Sequence, residues 1–567
     1  MVTDTAEWPA DTEPSERFPL YTRGNVGEVF PNVVSVLTGT LVGPAVNDAG
    51  LAMFRSTGLL TQRDLDGRPV GTGVFGGYLY GNASLFRLMG VRTPGMSVAD
   101  ADEQVSGDAG DMPPYEPRPG DKNLLVTVRL GAYLARVLRR PDLGELERHR
   151  AGAEAWCATL PPLHSASDDD LLRFVDSYPS RLSASMERLL RFGMVAAGPR
   201  ALAERLLGSK VPPGTLTRLV SGVTDVDSAQ LAVGQWALSR IVAGDTGLSA
   251  MFDDAVPGDV TALAGSPLDE PLADFLRRFG HRCHDEYELR SPSWSMDPAP
   301  VLAAIDRLRH ADGERDPALA AERLRRERAD AERLVERDVP RWARPLVTHA
   351  VAVSRAGSVG RERAKDVLVR ENLAVRLALH ELDRRAAVRG GWDGPGSAFL
   401  VTADELPAYV ADPRPFRSVI AERGELQSYL QARVPPPWFE GRIPDPSTWS
   451  LRADVRTMSP TTGECLVGIG VSSGRYRGRA RVVEDPGDPR GLEAGEVLVC
   501  RITDPSWTPL FLVAGAVVCE TGAQQSHAAI VARELGAPGV MSVAGIVGVA
   551  DGTWLDVDGD AGTVTVG

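Results

Sequence analysis

The sequence predicts a multidomain protein with a mainly α-helical part followed by a small α/β domain. The chain has 567 residues, which is more than a single hydrophobic core usually serves. From about residue 121 to residue 430, apolar residues recur at the i, i+3, i+4 spacing of amphipathic helices. After residue 465, short β-rich runs are separated by turn residues and surround one clear helical segment, which is typical of an α/β domain.

Composition and charge exclude several classes of protein. The net charge of −14 argues against a non-specific nucleic-acid or anionic-membrane partner. The five cysteines are scattered and form no CxxC pair, so neither a disulfide framework nor a zinc ribbon is indicated. The N-terminal segment lacks the apolar core of a signal peptide, and no uncharged apolar run is long enough to span a bilayer. We therefore expect a cytoplasmic protein.

The first elements are a lead-in and a glycine-rich opening. Residues 1–18 are rich in Pro, Asp, Glu and Thr and are predicted to be a disordered lead-in. Residues 19–430 are expected to form one mainly helical acceptor-binding domain, with a loop at 97–120. Near its start, one run either lines an acceptor pocket or forms a β-hairpin packed on the core; its residues are Gly76, Gly77, Tyr78, Tyr80 and Asn82.

Two later helical segments differ in character. The segment 301–345 contains a strongly charged stretch that predicts a solvated helix, whereas 360–390 is amphipathic. A basic run at Arg361, Arg363 and Lys365 lies at the start of the second segment. Such a run is either a solvated face or a set of phosphate contacts, and the sequence leaves both readings open.

A proline-rich stretch separates the helical part from the C-terminal part. Residues 431–464 contain the run Pro435-Pro436-Pro437, and proline cannot continue a helix. We predict a linker here. The α/β domain is then expected over residues 465–567.

The segment around His527 carries the strongest chemical signal. A buried strand, Val517-Val518-Cys519, is predicted to run into a glycine-containing turn and then into a helix that opens with Ser526 and His527. Helix N-termini expose unpaired N–H groups and a partial positive charge, which together form a phosphate site. The same charge favours the neutral imidazole, so a ring nitrogen keeps its lone pair for attack on phosphorus. Thr521 or Ser526 is placed to orient the ring.

The string TGAQQSHAAIVARELGAPGV, which begins at Thr521, resembles the phosphohistidine signature of the swivelling domain in phosphoenolpyruvate-utilising enzymes. The upstream TDPSWTPLF and the terminal WLDVDGDAGTVTV also resemble that domain. The resemblance implies that His527 is the catalytic phosphoryl carrier, supported by Thr521, Gly522 and Ser526. Two positions depart from the family pattern, because Ala523 stands where a second glycine is common and Gln525 where threonine is common.

A second stretch, from Phe275 to Trp294, is similar to a motif in the substrate-binding domain of rifampin phosphotransferase and its relatives. A polar cluster lies inside it. In an acceptor site, a guanidinium would stabilise the transferred phosphoryl and a neighbour would accept the hydroxyl proton; as a structural feature, the cluster would brace two helices. A metal site is disfavoured by the spacing. The acceptor-site candidates are His281, Arg282, His284, Glu286, Arg361 and Lys365.

The resemblance also implies what other molecules are needed. Relatives combine these two domains with an ATP-grasp domain, and we find no Gly-rich nucleotide loop with paired Mg²⁺ carboxylates in this sequence. We therefore expect ATP and Mg²⁺ on a separate ATP-grasp partner, no cofactor or metal on this chain, and a small hydroxyl-bearing acceptor. The phosphorylated product is either released or loses phosphate in a net dehydration. The alternatives are an antibiotic-inactivating phosphotransferase and a non-catalytic binding protein with a vestigial His domain.

Overall fold

A computed structural model gives the architecture of the chain. About 57% of it is helical, and a small α/β region follows the helical part, as predicted. The residues that the structure describes are 7–66, 69–106, 112–139, 144–221, 227–390, 396–452, 460–484, 491–503, 507–522 and 526–567.

The helices range from single turns to a helix of 45 residues. Those described are, in chain order, α1 (Gly24–Val29), α2 (Val36–Leu41), α3 (Gly43–Ser56), α4 (Gln62–Asp66), α5 (Ala83–Arg92), α6 (Val98–Ser106), α7 (Leu124–Arg139), α8 (Gly144–Cys157), α9 (Asp168–Asp176), α10 (Tyr178–Leu207), α11 (Thr215–Val220), α12 (Asp227–Gly244), α13 (Thr246–Asp254), α14 (Asp269–Phe279), α15 (Ala299–Arg309), α16 (Pro317–Asp338), α17 (Arg344–Val388), α18 (Leu406–Ala411), α19 (Arg417–Gln431), α20 (Thr508–Val513) and α21 (His527–Leu535).

The strands form two sheets. They are β1 (Leu20–Thr22), β2 (Thr72–Phe75), β3 (Tyr78–Asn82), β4 (Trp438–Glu440), β5 (Cys465–Val467), β6 (Ile469–Ser472), β7 (Arg475–Val482), β8 (Val497–Cys500), β9 (Ala516–Cys519), β10 (Gly539–Met541), β11 (Trp554–Asp558) and β12 (Thr563–Val566). An antiparallel sheet has the order β2-β3-β1-β4, and an eight-stranded sheet has the order β5-β12-β11-β7-β8-β9-β10-β6. In the larger sheet, the neighbours from β7 to β10 are parallel and the flanking pairs are antiparallel.

The chain divides into two compact units, each built from three separate segments. The first unit contains 1–193, 285–291 and 364–455, and the second unit contains 194–284, 292–363 and 456–567. This division differs from the predicted boundaries at 430 and 465. Local periodicity identifies helices, but it does not reveal which distant segments share a core.

The first unit is organised around the small antiparallel sheet. β2 and β3 form the hairpin that the sequence left as one of two readings for this glycine-rich run. Its turn, Gly76-Gly77, has φ angles of +56° and +79°, which glycine adopts without strain. Tyr78 and Tyr80 are fully buried, with their hydroxyls donating to carbonyls of Leu430 and Pro436. This run is therefore a packed hairpin.

In the first unit, parts of the predicted disordered lead-in and of the predicted linker are packed. Within 1–18, the described residues 7–18 bury Trp8 and Phe18, which are 2% and 5% exposed. Within 431–464, β4 pairs with β1 and Trp449 lies in the core, while 453–459 lie outside the described residues. Polar and proline-rich composition misled the prediction, because a few aromatic anchors are enough to fix such segments.

In the second unit, helices pack directly on the α/β region. Trp236 of α12 and Leu308 of α15 share a hydrophobic core with Leu510 and Phe511 of α20. The charged helix α16 buries only a narrow stripe that includes Leu324 and is otherwise exposed or partly exposed, as predicted for a solvated helix.

Helix α6 in the first unit falls within 97–120, where the sequence predicted a loop.

Candidate functional site

The segment predicted to carry the chemistry folds as strand, turn and helix. β9 is fully buried and pairs in parallel with β8 and β10. A short run of apolar residues suits a strand covered on both faces. Helix α21 begins at His527 and runs for nine residues. The predicted strand and helix are both confirmed.

Ser526 caps the helix that His527 opens. Its backbone is extended, with φ −61° and ψ 162°, and its side-chain oxygen accepts a hydrogen bond from the Ala529 N–H at 3.1 Å. This satisfies one of the amide donors that a helix start leaves unpaired. The helix ends at Gly536 in the left-handed conformation, with φ +68°. Ser526 therefore fixes the start of the helix at the backbone of His527.

The turn before α21 leaves the sheet at the carboxyl ends of β8 and β9. Beyond the strands, the ladder continues as the N–H of Thr521 donates to the Arg501 carbonyl at 2.9 Å. The Ser542 hydroxyl donates to the Gly522 carbonyl at 2.7 Å. Thr521 and Gly522 are thus held at the edge where open parallel sheets bind ligands.

The imidazole of His527 and residues 523–525 lie outside the part of the structure that is described. The predicted roles of the His527 ring and the consequences of Ala523 and Gln525 therefore stay predictions. The ring-orienting roles of Thr521 and Ser526 do so as well.

The inner face of α21 consists mainly of small residues that allow close packing on the sheet; those buried include Ala528, Ala529, Val531 and Ala532. Arg533 lies on the same helix and donates through Nε to the Val471 carbonyl at 3.0 Å. Burial, with a further contribution from the neighbouring Arg200, lowers the pKa of Arg533 to about 9. The structure thus gives Arg533 a backbone contact with the sheet.

The acceptor-site candidates fall in both units. His281 and Arg282 are buried, at 2% and 4% exposure, and His284 is exposed; all three belong to the second unit. Arg361 also belongs to the second unit and lies 3.6 Å from the carboxylate of its neighbour Glu362. In the described part of the chain, no group of three or more His, Cys, Asp or Glu side chains is arranged to hold a metal ion.

Glu286 and Lys365 are two candidates that the structure brings together. Both belong to the first unit, and Lys365 Nζ lies 2.9 Å from Glu286 Oε2. Glu286 is 3% exposed, and its carbonyl accepts from Asn372 Nδ2 at 3.0 Å and Arg376 Nη2 at 2.6 Å. Because Asn372 and Arg376 lie on α17, the backbone at Glu286 is braced against this helix.

A polar cleft in the first unit was not predicted from the sequence. Its volume is about 340 Å³, and its walls come from residues 29–34, the loop 285–291 and the end of α19. Asn32 Nδ2 donates to Asp285 Oδ2 at 2.9 Å, and Gln431 Nε2 donates to Asn32 Oδ1 at 2.7 Å. These side chains are separated by hundreds of residues in the sequence, so no local pattern could have grouped them.

A buried polar set crosses three helices of the first unit. His149 Nε2 lies 2.8 Å from Ser185 Oγ, and the Ser185 hydroxyl donates to Glu371 Oε2 at 2.6 Å. Burial raises the pKa of Glu371 to about 7. Burial and the nearby arginines Arg188 and Arg181 lower the pKa of His149 to about 4. This set was not predicted either, because its members share no motif.

Comparison with known proteins assigns two parts of the chain. Residues 188–362 match the family described as the rifampicin phosphotransferase fourth domain. Residues 492–562, which include His527, match the PEP-utilising enzyme mobile domain. These two matches, together with similar rifampicin phosphotransferases, support a phosphoenolpyruvate-utilising, rifampicin phosphotransferase-like family. The resemblance seen in the sequence is thereby confirmed.

The chain is similar to proteins of several bacteria. An uncharacterised protein of Mycobacterium tuberculosis is 26% identical over 98% of the chain and 62% of its own length. A rifampicin phosphotransferase of Streptomyces is 32% identical over 52% of the chain and 33% of its own length. The prodigiosin synthesizing transferase PigC of Serratia marcescens is 28% identical over 62% of the chain and 40% of its own length.

The chain therefore spans less than two thirds of the length of these relatives. No described helix combines the length and apolar character that a membrane span requires.

Proposed function

We propose that this protein is a phosphotransferase component in which His527 receives a phosphoryl group from ATP and passes it to a hydroxyl of a small acceptor. One observation carries the proposal. His527 is the first residue of a capped helix at the carboxyl end of a parallel sheet, inside the segment that matches the mobile domain. A phosphoryl group carried at a helix start is favoured by the positive end of the helix dipole.

The proposed reaction consists of two phosphoryl transfers. In the first, a ring nitrogen of His527 attacks the β-phosphorus of ATP, the bond to the α-phosphate oxygen breaks, and AMP leaves while water releases the γ-phosphate. In the second, the acceptor oxygen attacks the same phosphorus, the N–P bond breaks and the hydroxyl proton passes to a base. The ring returns to its starting state, so the chain acts as a carrier.

We propose that the nucleotide chemistry belongs to a separate ATP-grasp protein that holds ATP and Mg²⁺. The family resemblance implies an ATP-grasp domain for this step, and its place on a separate protein is part of the proposal. The α/β region would then move between the partner and the acceptor, since a hinged carrier lets two separate pockets exclude water.

At the acceptor, we assign a phosphate contact to Lys365 of the first unit. Lys365 already faces the Glu286 carboxylate at 2.9 Å. An incoming phosphoryl group would compete for the ammonium and leave Glu286 as the base for the hydroxyl proton. His281, Arg282, His284 and Arg361, all in the second unit, remain candidates from the sequence alone.

The relatives indicate two kinds of acceptor. Rifampicin phosphotransferases among the relatives point to antibiotic inactivation, and PigC points to a biosynthetic pathway. We favour a biosynthetic acceptor, with product release and phosphate elimination as the two possible fates of the phosphorylated compound. The non-catalytic alternative, with a vestigial His domain, is tested by the labelling experiment described next.

The test mixes the purified protein with a candidate ATP-grasp partner and ATP labelled in the β-phosphate. We expect acid-labile label on the wild-type chain and none on His527→Ala. His349→Ala is the matched control and should label like wild type. ATP labelled in the γ-phosphate should leave no label on the protein. Absence of β-label from wild type, in the presence of a partner that consumes ATP, would favour the vestigial reading.

A further inference from the structure

The polar cleft of the first unit has a strained residue at its wall. Asp285 has φ +51°, a left-handed conformation that a residue with a Cβ seldom adopts. The strain is held by Arg376, which is fully buried and donates through Nη2 to the carbonyls of Asp285, Glu286 and Glu288 at 3.2, 2.6 and 2.9 Å. A strained residue that its surroundings fix so firmly points to a functional role.

The side chains of the cleft are held in place before any ligand binds. Asn32 uses its amide nitrogen on Asp285 and its oxygen on Gln431, and Gln431 in turn accepts from the Val33 N–H at 2.9 Å. Arg290 Nη1 donates to Gln427 Oε1 at 3.2 Å. Such a set of fixed amide and carboxylate groups suits recognition of hydroxyl groups, because little side-chain entropy is lost on binding.

The charge of the cleft disfavours an anion. Its lining contains two carboxylates, Asp285 and Glu288, and one guanidinium, Arg290. The Glu288 carboxylate accepts from the hydroxyls of Ser35 and Thr38, both at 2.7 Å, so it is engaged within the protein. Asp285 also accepts from Asn32, but it is only partly buried whereas Glu288 is 8% exposed. Asp285 is therefore the carboxylate more accessible to a ligand, and it would favour a neutral or cationic group.

We propose that this cleft binds the acceptor, and that the acceptor is a compact polyol or amino sugar. This rests on the proposed phosphotransferase function. The volume of about 340 Å³ is at the small end of ligand pockets, which suits a sugar-sized molecule better than a large apolar macrocycle. Asp285 also adjoins Glu286, whose carboxylate pairs with Lys365, so one loop carries both the cleft wall and the proposed proton acceptor.

The test measures binding without ATP or a partner. Saturation-transfer NMR on the full chain uses glucosamine, myo-inositol, glucuronate and rifamycin SV as probes. We expect glucosamine and myo-inositol to bind, and glucuronate and rifamycin SV to give at least tenfold weaker signals.

Two substitutions at Asp285 separate recognition from folding. Glycine and asparagine tolerate a positive φ, so Asp285→Gly and Asp285→Asn should melt no lower than wild type. Asp285→Gly should lose binding of both probes by about tenfold, whereas Asp285→Asn should lose mainly the preference for glucosamine. Asp412→Asn, on an exposed carboxylate outside the cleft lining, is the control and should bind both probes as wild type does.

The outcomes distinguish the cleft from the carrier. Absence of polyol binding to wild type, or unchanged binding to Asp285→Gly, would overturn the cleft proposal even if His527 becomes labelled. Polyol binding that depends on Asp285, with no label on His527, would support the cleft as a ligand site and count against the proposed phosphoryl transfer.

Discussion

At the scale of single residues, Ser526 links sequence to chemistry. Its hydroxyl oxygen accepts the Ala529 N–H and so places the first turn of the helix that carries His527. A serine before an apolar helical pattern is a recognisable start signal, so the cap could be read from the sequence. The Glu286–Lys365 pair could not be paired from the sequence, because the two residues are 79 positions apart and meet only through tertiary structure.

Ser526→Ala should destabilise the α/β region by about 1 kcal/mol, because the Ala529 N–H loses its acceptor. Hydrogen exchange at the amides of the first turn of α21 measures this directly. Ser526→Thr keeps a hydroxyl oxygen and is the control. Exchange in Ser526→Ala at the wild-type rate would show that the cap does not hold the helix start.

Lys365→Met should destabilise the first unit by about 2 kcal/mol or more, because it removes the ammonium that lies 2.9 Å from the buried Glu286 carboxylate. Thermal and denaturant melting measure the change. The double variant Glu286→Gln/Lys365→Met should recover much of the loss, since both charges are gone. If the single and double variants melt alike, the ion pair is not what holds this loop.

The same variant has a separate functional prediction. Lys365→Met should label normally on His527 and lose transfer to an acceptor, because the substitution removes a proposed acceptor-side contact and leaves the carrier intact. Loss of the His527 label itself would contradict this assignment.

At the scale of elements, helices and buried strands followed from periodicity, whereas contacts between helices did not. α17 was anticipated only over 360–390, yet it begins at Arg344 and runs for 45 residues. Its buried groups include Glu371, which sits among other helices rather than at a surface. Periodicity shows which face of a helix is apolar, but not which polar residue on that face will find a buried partner.

Glu371 should make stability depend on pH. Burial raises its pKa to about 7, above the ordinary value of 4.5. The folded chain therefore binds this proton more tightly than the unfolded chain, and stability is lost as pH rises from about 4.5 through about 7. Glu371→Gln removes that loss, so its melting temperature relative to wild type should rise between pH 5 and pH 8, equivalent to about 2 kcal/mol.

His149 provides a control of opposite sign. Its pKa is lowered to about 4, so stability is lost as pH falls from about 6.5 through about 4. His149→Gln should therefore gain relative to wild type at the acid end. A melting difference between Glu371→Gln and wild type that stays constant with pH would refute the raised pKa.

The crossing of α10 and α17 in the second unit depends on a glycine. A Cβ at Gly357 would lie 2.6 Å from the backbone nitrogen of Ala196, and Ser354 donates to the Ala196 carbonyl at 2.8 Å beside it. Gly357→Ala should destabilise by about 1–3 kcal/mol through overpacking. Gly152→Ala, in open space on α8, should stabilise by up to about 1 kcal/mol. Equal melting of both variants would contradict the close approach.

At the scale of the whole molecule, the fold class was predictable and the division into units was not. The first unit pairs β1 near residue 20 with β4 near residue 440, and no local pattern announces such a pairing. In the second unit, Trp236 and Leu308 share a core with the α/β region. That region is therefore packed against helices and is not a separate domain attached only through a linker. The proposed movement of the carrier must therefore release these contacts.

A cross-link tests that movement. Arg218 of α11 and Asp560 of the α/β region form an ion pair at 3.3 Å. Joining Arg218→Cys and Asp560→Cys with a short cleavable bis-maleimide, in a background with the exposed Cys465 replaced by serine, should slow complete turnover at least tenfold, with recovery after cleavage. The two single substitutions in the same background, treated alike, are the controls. Wild-type turnover by the cross-linked protein would show that the α/β region need not leave these helices.

The central claim is that His527 carries a phosphoryl group, and peptide mapping tests it most directly. After incubation with the ATP-grasp partner and ATP, the protein is digested at neutral pH and fragmented by electron transfer, which preserves the N–P bond. The account predicts a single phosphoryl group on the imidazole of His527, lost when an acceptor is added. A phosphoryl group on another residue, or an unmodified His527 while the partner consumes ATP, would contradict it.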